Sequence, residues 1–182
     1  MSITRVDLMA SVAGTIGGVT WHHLYLVASN SSGKHSYLRA GPECLPLEQL
    51  VGRRTEHGDA IEDYEASPAG PYGVVKISSG DYEPGAVDFD PVAANVTLAS
   101  GDAAARLWQS VQKSAQALAE EQITYDPIGQ GANWAIMEAL RRCGAKASLP
   151  PKRWAPGAGA IAAAPVVDEV TTRRVGQAVV LT

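Results

Sequence analysis

Cysteine is scarce in this chain of 182 residues, which contains only Cys44 and Cys143. Two cysteines do not make a disulfide scaffold, and the long spacing between these two resembles no zinc motif. The chain also has four histidines, which are His22, His23, His35 and His57. Because the histidines form no metal-ligand pattern with the cysteines, we expect neither a metal nor any other cofactor.

Excess positive charge and long apolar runs are also missing. A net charge of -4 argues against a general phosphate-binding surface, so nucleic acid is not an expected partner. The longest weakly polar run, residues 156–167, is mostly alanine and glycine and is too short to span a membrane. The N-terminus has no charged-then-apolar signal segment. We therefore expect a protein that is cytoplasmic where it is synthesised, with export by a signal-peptide-independent route left open.

The stretch at residues 21–27 carries the clearest structural signal. It is a run of aromatic, aliphatic and β-branched residues that ends in a polar turn at residues 30–33. This pattern is typical of a strand inside a sheet, which we predict over residues 19–28. Side chains alternate between the two faces of a strand, so His22 and His23 point to opposite sides. A strand histidine that faces a cleft is a catalytic candidate, whereas one satisfied by a hydrogen bond is structural, and both interpretations apply here.

Further short runs separated by turn residues predict the rest of a sheet. Asn30 and Gly33 tolerate positive φ, so residues 19–28 and 34–40 predict a β-hairpin. Residues 3–16 alternate loosely, as in a first strand or a short entry segment. Three more strands are predicted, at residues 72–80, 92–99 and 175–181.

Two helices are predicted in the second half of the chain. The first covers residues 102–122, with Asp102 as its N-cap. Its apolar residues recur at three- and four-residue steps and form one stripe, made of Ala104, Leu107, Trp108, Val111, Ala115, Leu118 and Ala119. The second helix runs from Asn133, which suits the N-cap, to Gly144, which suits the C′ position. Its predicted buried side consists of Ile136, Met137, Leu140 and Cys143.

The remaining segments complete a single predicted domain over residues 1–182. Residues 45–51 predict one or two turns of helix, and residues 52–70 a charged, solvated loop. Residues 149–165 are rich in proline and glycine and predict an irregular wrap. The fold class is α+β, an antiparallel sheet with two main helices, in which residues 145–182 form an irregular C-terminal wrap with a last strand.

Four segments resemble, in their order, the motifs of one family. Residues 23–27 are similar to its strand of the form His-small-Tyr/Phe-Ile-Val, and residues 37–42 to its aromatic-x-Arg-x-Gly-Pro hairpin end. Residues 72–88 are similar to its glycine-containing strand and Tyr-x-Pro-Gly loop, and residues 125–144 to its tyrosine, Asn-Ser-Asn-Ser helix start and closing glycine. These are papain-like domains, related to circularly permuted NlpC/P60 folds, at the C-termini of secreted bacterial polymorphic toxins and effectors. The resemblance implies a papain-like, permuted NlpC/P60-like fold.

The chain departs from that family at the start of the second helix. Where the family often has Asn-Ser-Asn-Ser, residues 131–134 read Gly-Ala-Asn-Trp, and only Asn133 is retained. In papain-like enzymes the nucleophile lies at a helix N-terminus, where the dipole lowers a thiol pKa and backbone amides hold an oxyanion. This turn contains no cysteine, serine or threonine. Either the chemistry is not acyl transfer through this turn, or the site is degenerate.

Four residues are the candidates for a catalytic site. The resemblance singles out His23 as the base. Cys44 precedes the predicted short helix and would make a nucleophile–base pair with His23, or it is an incidental cysteine. Asn133 is either an N-cap or an amide that orients His23 or donates to an oxyanion. Asp88, like Asp90, is either a turn residue or a third member that orients the histidine.

The resemblance implies two alternative functions. The first is a toxin- or effector-type hydrolase of amide, peptide or peptidoglycan-type bonds that uses His23 and takes a peptide or cell-wall-type substrate. The second is a catalytically inactive papain-like fold that acts as a binding or partner-recognition module. In either case an immunity protein or a secretion carrier is an implied partner.

Overall fold

Five antiparallel strands form one sheet, and two helices pack on one of its faces. The structure is a computed structural model that describes residues 2–16, 18–44, 69–86 and 88–159. The strands are β1 (Ile3–Ile16), β2 (Val19–Asn30), β3 (His35–Pro42), β4 (Val75–Asp81) and β5 (Ala94–Ser100), and the helices are α1 (Asp102–Glu120) and α2 (Ala132–Arg142). The strand order is β4-β3-β2-β1-β5. The predicted α+β class with an antiparallel sheet and two main helices is confirmed.

The main core lies between the sheet and the helices. Leu8, Leu26 and Leu38 are register partners on three adjacent strands, and all three side chains are buried. Each such leucine contributes about 1.5–3 kcal/mol when its side chain leaves water. The stripe predicted for α1 is confirmed at its five buried residues, which are Ala104, Trp108, Val111, Ala115 and Leu118. On α2, Ile136 and Leu140 are buried as predicted, whereas Met137 and Cys143 are only half-buried.

Glycines, not polar side chains, precede both helices. The predicted N-caps Asp102 and Asn133 are wrong, because the cap positions are Gly101 and Gly131 and neither helix has a side-chain cap bond. Gly101 has a φ of 60°, which glycine adopts without strain. The prediction for the other end of α2 is confirmed, because Gly144 has a φ of 76° and its N–H donates to the carbonyl of Arg141.

The strand predictions hold with shifted ends. Residues 3–16 form a full strand and not a short entry segment, because β1 pairs with β2 on one side and with β5 on the other. The hairpin of β2 and β3 is confirmed, with the Asn30 side chain accepting hydrogen bonds from the N–H groups of Ser32 and Lys34. Residues 149–159 contain no helix, and their one β-bridge joins Trp154 to Trp21. The predictions for residues 45–51, for 52–68 and for 175–181 lie outside the described residues.

The connection between β4 and β5 crosses the face of the sheet that the helices leave open. These two strands are the edges of the sheet, so the connection, described at residues 82–86 and 88–93, passes over β3, β2 and β1. On that face Tyr82 and Ala93 of this crossing loop pack against a second, smaller core, made of Met9, Tyr25 and Val27. The crossing loop therefore forms a lid over the odd-numbered side chains of β2. In the part of the chain that the structure describes, no helix is both long and apolar enough to cross a membrane.

Candidate functional site

Three charged or ionisable side chains meet beneath the crossing loop. Tyr25 on β2 is the register partner of Arg39 on β3, and His23 lies two residues along β2 on the same face. The crossing loop brings Asp88 between the side chains of His23 and Arg39. The Asp88 Oδ2 atom is 3.0 Å from His23 Nδ1 and 2.8 Å from Arg39 Nε. We call His23, Arg39 and Asp88 the polar cluster.

Both ring nitrogens of His23 face oxygen atoms. Nδ1 faces the Asp88 carboxylate, and Nε2 lies 3.2 Å from the carbonyl oxygen of Ala40. A carbonyl oxygen accepts hydrogen bonds and donates none, so Nε2 must carry a proton to bond to Ala40. In this arrangement Nε2, the ring nitrogen that does not face Asp88, has no free lone pair with which to act as a base.

Contacts with His23 and Arg39 hold Asp88 in the polar cluster. Burial raises the pKa of its carboxyl, but the contact with His23 and the charge of Arg39 outweigh burial, and the net pKa lies below the usual range. His23 Nδ1 and Arg39 Nε both reach the same oxygen, and neither contact has the alignment of a hydrogen bond. The backbone of Asp88 has a φ of 63°, a left-handed conformation that aspartate tolerates better than most residues.

Two tyrosines fix the crossing loop to the sheet. The Tyr82 hydroxyl donates to the carbonyl of Asp90 at 2.9 Å and accepts from the Asp90 N–H at 3.0 Å. Its only proton is then used, so the buried Tyr25 hydroxyl, 3.1 Å away, donates to it. Burial, and then the bond to Tyr82, raise the pKa of Tyr25, which keeps it neutral. These contacts hold the chain on both sides of Asp88.

Sequence reasoning missed Arg39 as a site residue. Its signal lay in the motif of residues 37–42, but only the register that pairs Tyr25 with Arg39 places the guanidinium beside His23. Asp88, which the sequence offered either as a turn residue or as the partner of the histidine, lies in a turn and also contacts His23.

Asn133 makes no hydrogen bond to the side chains of the polar cluster and instead satisfies the backbone edge of β2. Its Oδ1 accepts the N–H of Leu24 at 2.7 Å, and its Nδ2 donates to the carbonyls of His22 at 2.9 Å and Pro156 at 3.0 Å. These bonds use both amide protons and leave none for His23. The structure therefore does not bring Asn133 to His23, and the amide takes the place of a strand partner, since β3 pairs with β2 only as far as Tyr25.

His22, and not His23, is the histidine on the helix side of the sheet. It is 4% exposed, and its Nδ1 lies 3.2 Å from the carbonyl oxygen of Trp154. Burial lowers the pKa of His22; the bond to Trp154 opposes this shift, and the charge of Arg153 adds to it. The start of α2 offers this histidine no nucleophile. A Cβ at Gly131 would lie 2.6 Å from the carbonyl oxygen of Asp126, so a larger residue there would collide with the backbone.

Comparison with known proteins does not assign the chain to a family. No protein-family model matches it, and neither a curated protein nor a solved structure matches it significantly. The chemistry of the site therefore rests on its own residues.

Cys44 is not brought to His23 in the structure. Its N–H donates to the carbonyl of Tyr72, and its Sγ lies 3.6 Å from the carbonyl oxygen of Pro71. Within the described residues, the ring of His23 makes polar contacts with Ala40 and Asp88 and with no serine, threonine or cysteine. Over the same residues, no group of three or more histidine, cysteine, aspartate or glutamate side chains is placed to hold a metal ion.

Proposed function

We propose that this chain is a papain-like effector domain that works by recognition and not by acyl transfer. The observation that carries the proposal is the contact pattern of His23, whose ring nitrogens both face acceptors and make no hydrogen bond to a serine, threonine or cysteine among the described residues. A general base needs an unprotonated nitrogen within hydrogen-bond reach of the proton that it removes. In this geometry His23 is a hydrogen-bond donor through Nε2.

The resemblance to papain-like domains is supported by how its segments meet. Three of the four similar segments, residues 23–27, 37–42 and 72–88, each supply one member of the polar cluster. The fourth contains Asn133, which binds the backbone of β2 beside that cluster. Segments that are distant in sequence thus come together around the strand that carries both histidines, as one shared site would require.

The start of α2 supports recognition over chemistry. In a papain-like enzyme this turn would carry the nucleophile, with the helix dipole lowering its pKa. Here Gly131 has no room for a side chain, and Gly157 lies against the carbonyl of Gly129. Both N–H groups of the Asn133 amide donate to backbone carbonyls. The turn therefore packs α2 against β2 and residues 154–158, and close-packed backbone fills the position that a reactive side chain would need.

The alternative is a hydrolase that uses His23 and Asp88 with a bound water or Cys44 as the nucleophile. The observation in its favour is the contact of 3.0 Å between His23 Nδ1 and Asp88 Oδ2, an arrangement in which an aspartate orients a catalytic histidine. For this function His23 Nε2 must leave the carbonyl of Ala40 and face the substrate.

Hydrolysis assays with a matched variant test the proposal. The wild-type chain and the His23→Gln variant are incubated with peptide mixtures and with purified peptidoglycan, and new termini are detected by mass spectrometry. We expect no turnover in the wild type above the variant, because the His23 Nε2–H is bound to the carbonyl of Ala40 and leaves that nitrogen no free lone pair. Turnover that His23→Gln abolishes, while the variant keeps its fold by circular dichroism, would establish the hydrolase instead.

A further inference from the structure

We infer that the polar cluster is a binding site for an oxyanion, the carboxylate or phosphate group of a ligand, and that Asp88 occupies this site in the free protein. The inference rests on the proposed recognition function and specifies the chemistry of what is recognised. Asp88 is then a built-in competitor, which a ligand must displace before it binds.

The backbones of His23 and Arg39 are held in the sheet before any ligand arrives. Arg39 belongs to the ladder between β2 and β3, and the His23 ring is tethered through Nε2 to the carbonyl of the fully buried Ala40. Arg39 has five N–H donors, and the Nε–H makes the contact of 2.8 Å with Asp88. A preorganised pair of donors of this kind suits an oxyanion that presents several oxygens.

Asp88 uses this pair of donors poorly. One oxygen, Oδ2, takes both contacts, and neither Oδ2 nor Arg39 Nε has an aligned hydrogen bond although both atoms are buried. A free carboxylate or phosphate is not tied to the backbone, so it can offer a separate oxygen to each of the two side chains with better alignment. An external oxyanion is therefore expected to make stronger contacts than the aspartate that it replaces.

Displacement requires only the side chain of Asp88 to move. The crossing loop stays anchored by Tyr82, which binds both backbone groups of Asp90, and by the bond from the Phe89 N–H to the carbonyl of Ala86. The Asp88 side chain is 22% exposed, so it already borders on solvent. A rotation about its own side-chain bonds would clear the site.

Removal of the competitor is the test. In Asp88→Asn the carboxylate is lost, while asparagine keeps the tolerance for positive φ. Binding of acetate and of inorganic phosphate is measured by NMR titration at constant ionic strength. We expect the variant to bind at least one of them about tenfold more tightly than the wild type. If Asp88 fills the site in about nine of ten wild-type molecules, only about one in ten is free to bind, and its removal raises the affinity by about that factor. The two anions separate a carboxylate site from a phosphate site.

The matched control is Asp90→Asn, which makes the same charge change two residues away. The Asp90 side chain accepts only the N–H of Val92, and its contacts with Tyr82 come from the backbone. Tighter binding in Asp88→Asn that is absent from Asp90→Asn, and that a further Arg39→Gln change removes, supports the inference.

Equal affinities in the wild type, Asp88→Asn and Asp90→Asn would overturn the inference. If Asp88→Asn fails to fold, Asp88→Gly makes the same measurement, because glycine adopts positive φ freely. Hydrolysis that depends on His23 would refute the recognition function by a different readout, so the two failures are distinguishable.

Discussion

The structural role of Asn133, which is to bind backbone groups of β2, can be tested by substitution. The change Asn133→Ala removes three hydrogen bonds, one from the N–H of Leu24 and two to the carbonyls of His22 and Pro156. Leu24 is 0% exposed, so its N–H loses the Asn133 acceptor and finds no water. A stranded buried donor costs about 1–3 kcal/mol, and each of the two other bonds is worth about 0.5–1.5 kcal/mol. We expect a loss of about 3–4 kcal/mol in the free energy of unfolding, a large share of the 5–15 kcal/mol that is typical of a domain.

Denaturant unfolding followed by circular dichroism measures this loss. A drop of about 3 kcal/mol corresponds to a fall in Tm of about 6–12 °C for a chain of this size. The control is Asn95→Ala on β5, where the exposed side chain bonds to none of the groups described above, and it should change stability by about 0.5 kcal/mol or less. A loss below about 1 kcal/mol in Asn133→Ala would refute the reasoning, because Leu24 would then have another partner.

Three further predictions concern packing and titration. Gly131→Ala places a Cβ 2.6 Å from a backbone oxygen and should cost about 1–3 kcal/mol in chemical denaturation, whereas Gly41→Ala, with its nearest neighbour at 3.5 Å, should be tolerated. Because the pKa of His22 is lowered in the folded state, the unfolded chain binds a proton first as pH falls, so the free energy of unfolding should decrease below about pH 6.5. The decrease of Tm with falling pH should be smaller in His22→Asn than in the wild type. The control variant His35→Asn, at an exposed position, should show the wild-type decrease. The pKa of Glu138 is lowered to about 2, first by Arg141 and, against the effect of burial, also by Arg142. Glu138→Gln should therefore cost about 1–2 kcal/mol at pH 7, and the difference from wild type should vanish as pH falls from 4.5 toward 2.

Local patterns predicted the elements of the fold because each pattern has a local cause. The alternation at residues 21–27 placed His22 and His23 on opposite faces, and the three- and four-residue steps around Trp108 marked the buried side of α1. Gly144 ended α2 as its freedom of φ indicated. Helix starts were less predictable. Asp102 and Asn133 both suit a cap, but the close approach of other backbone decided for glycine at residue 131.

The polar cluster was only partly predictable, since its members depend on strand register. Nothing in the local sequence states that Arg39 pairs with Tyr25, or that the loop after β4 crosses the sheet and carries Asp88 to His23. Asn133 was predicted as a partner of His23 because the resemblance placed both in one site. Because β3 stops pairing with β2 at Tyr25, the N–H of Leu24 and the carbonyl of His22 bond to the Asn133 amide instead.

The crossing loop also has a consequence for folding. Strands β1 to β4 form pairs between neighbours in sequence, whereas β5 pairs with β1, as in the bond from Thr97 to Asp7 across 90 residues. Closing so long a segment costs chain entropy before its contacts form, so non-local pairings form late and slowly. We therefore expect Asp88 to reach the polar cluster near the end of folding. A chain in which β5 has not yet paired with β1 would already have His23 and Arg39 in place, but without Asp88 beside them. The polar cluster is therefore completed only when the last strand joins the sheet.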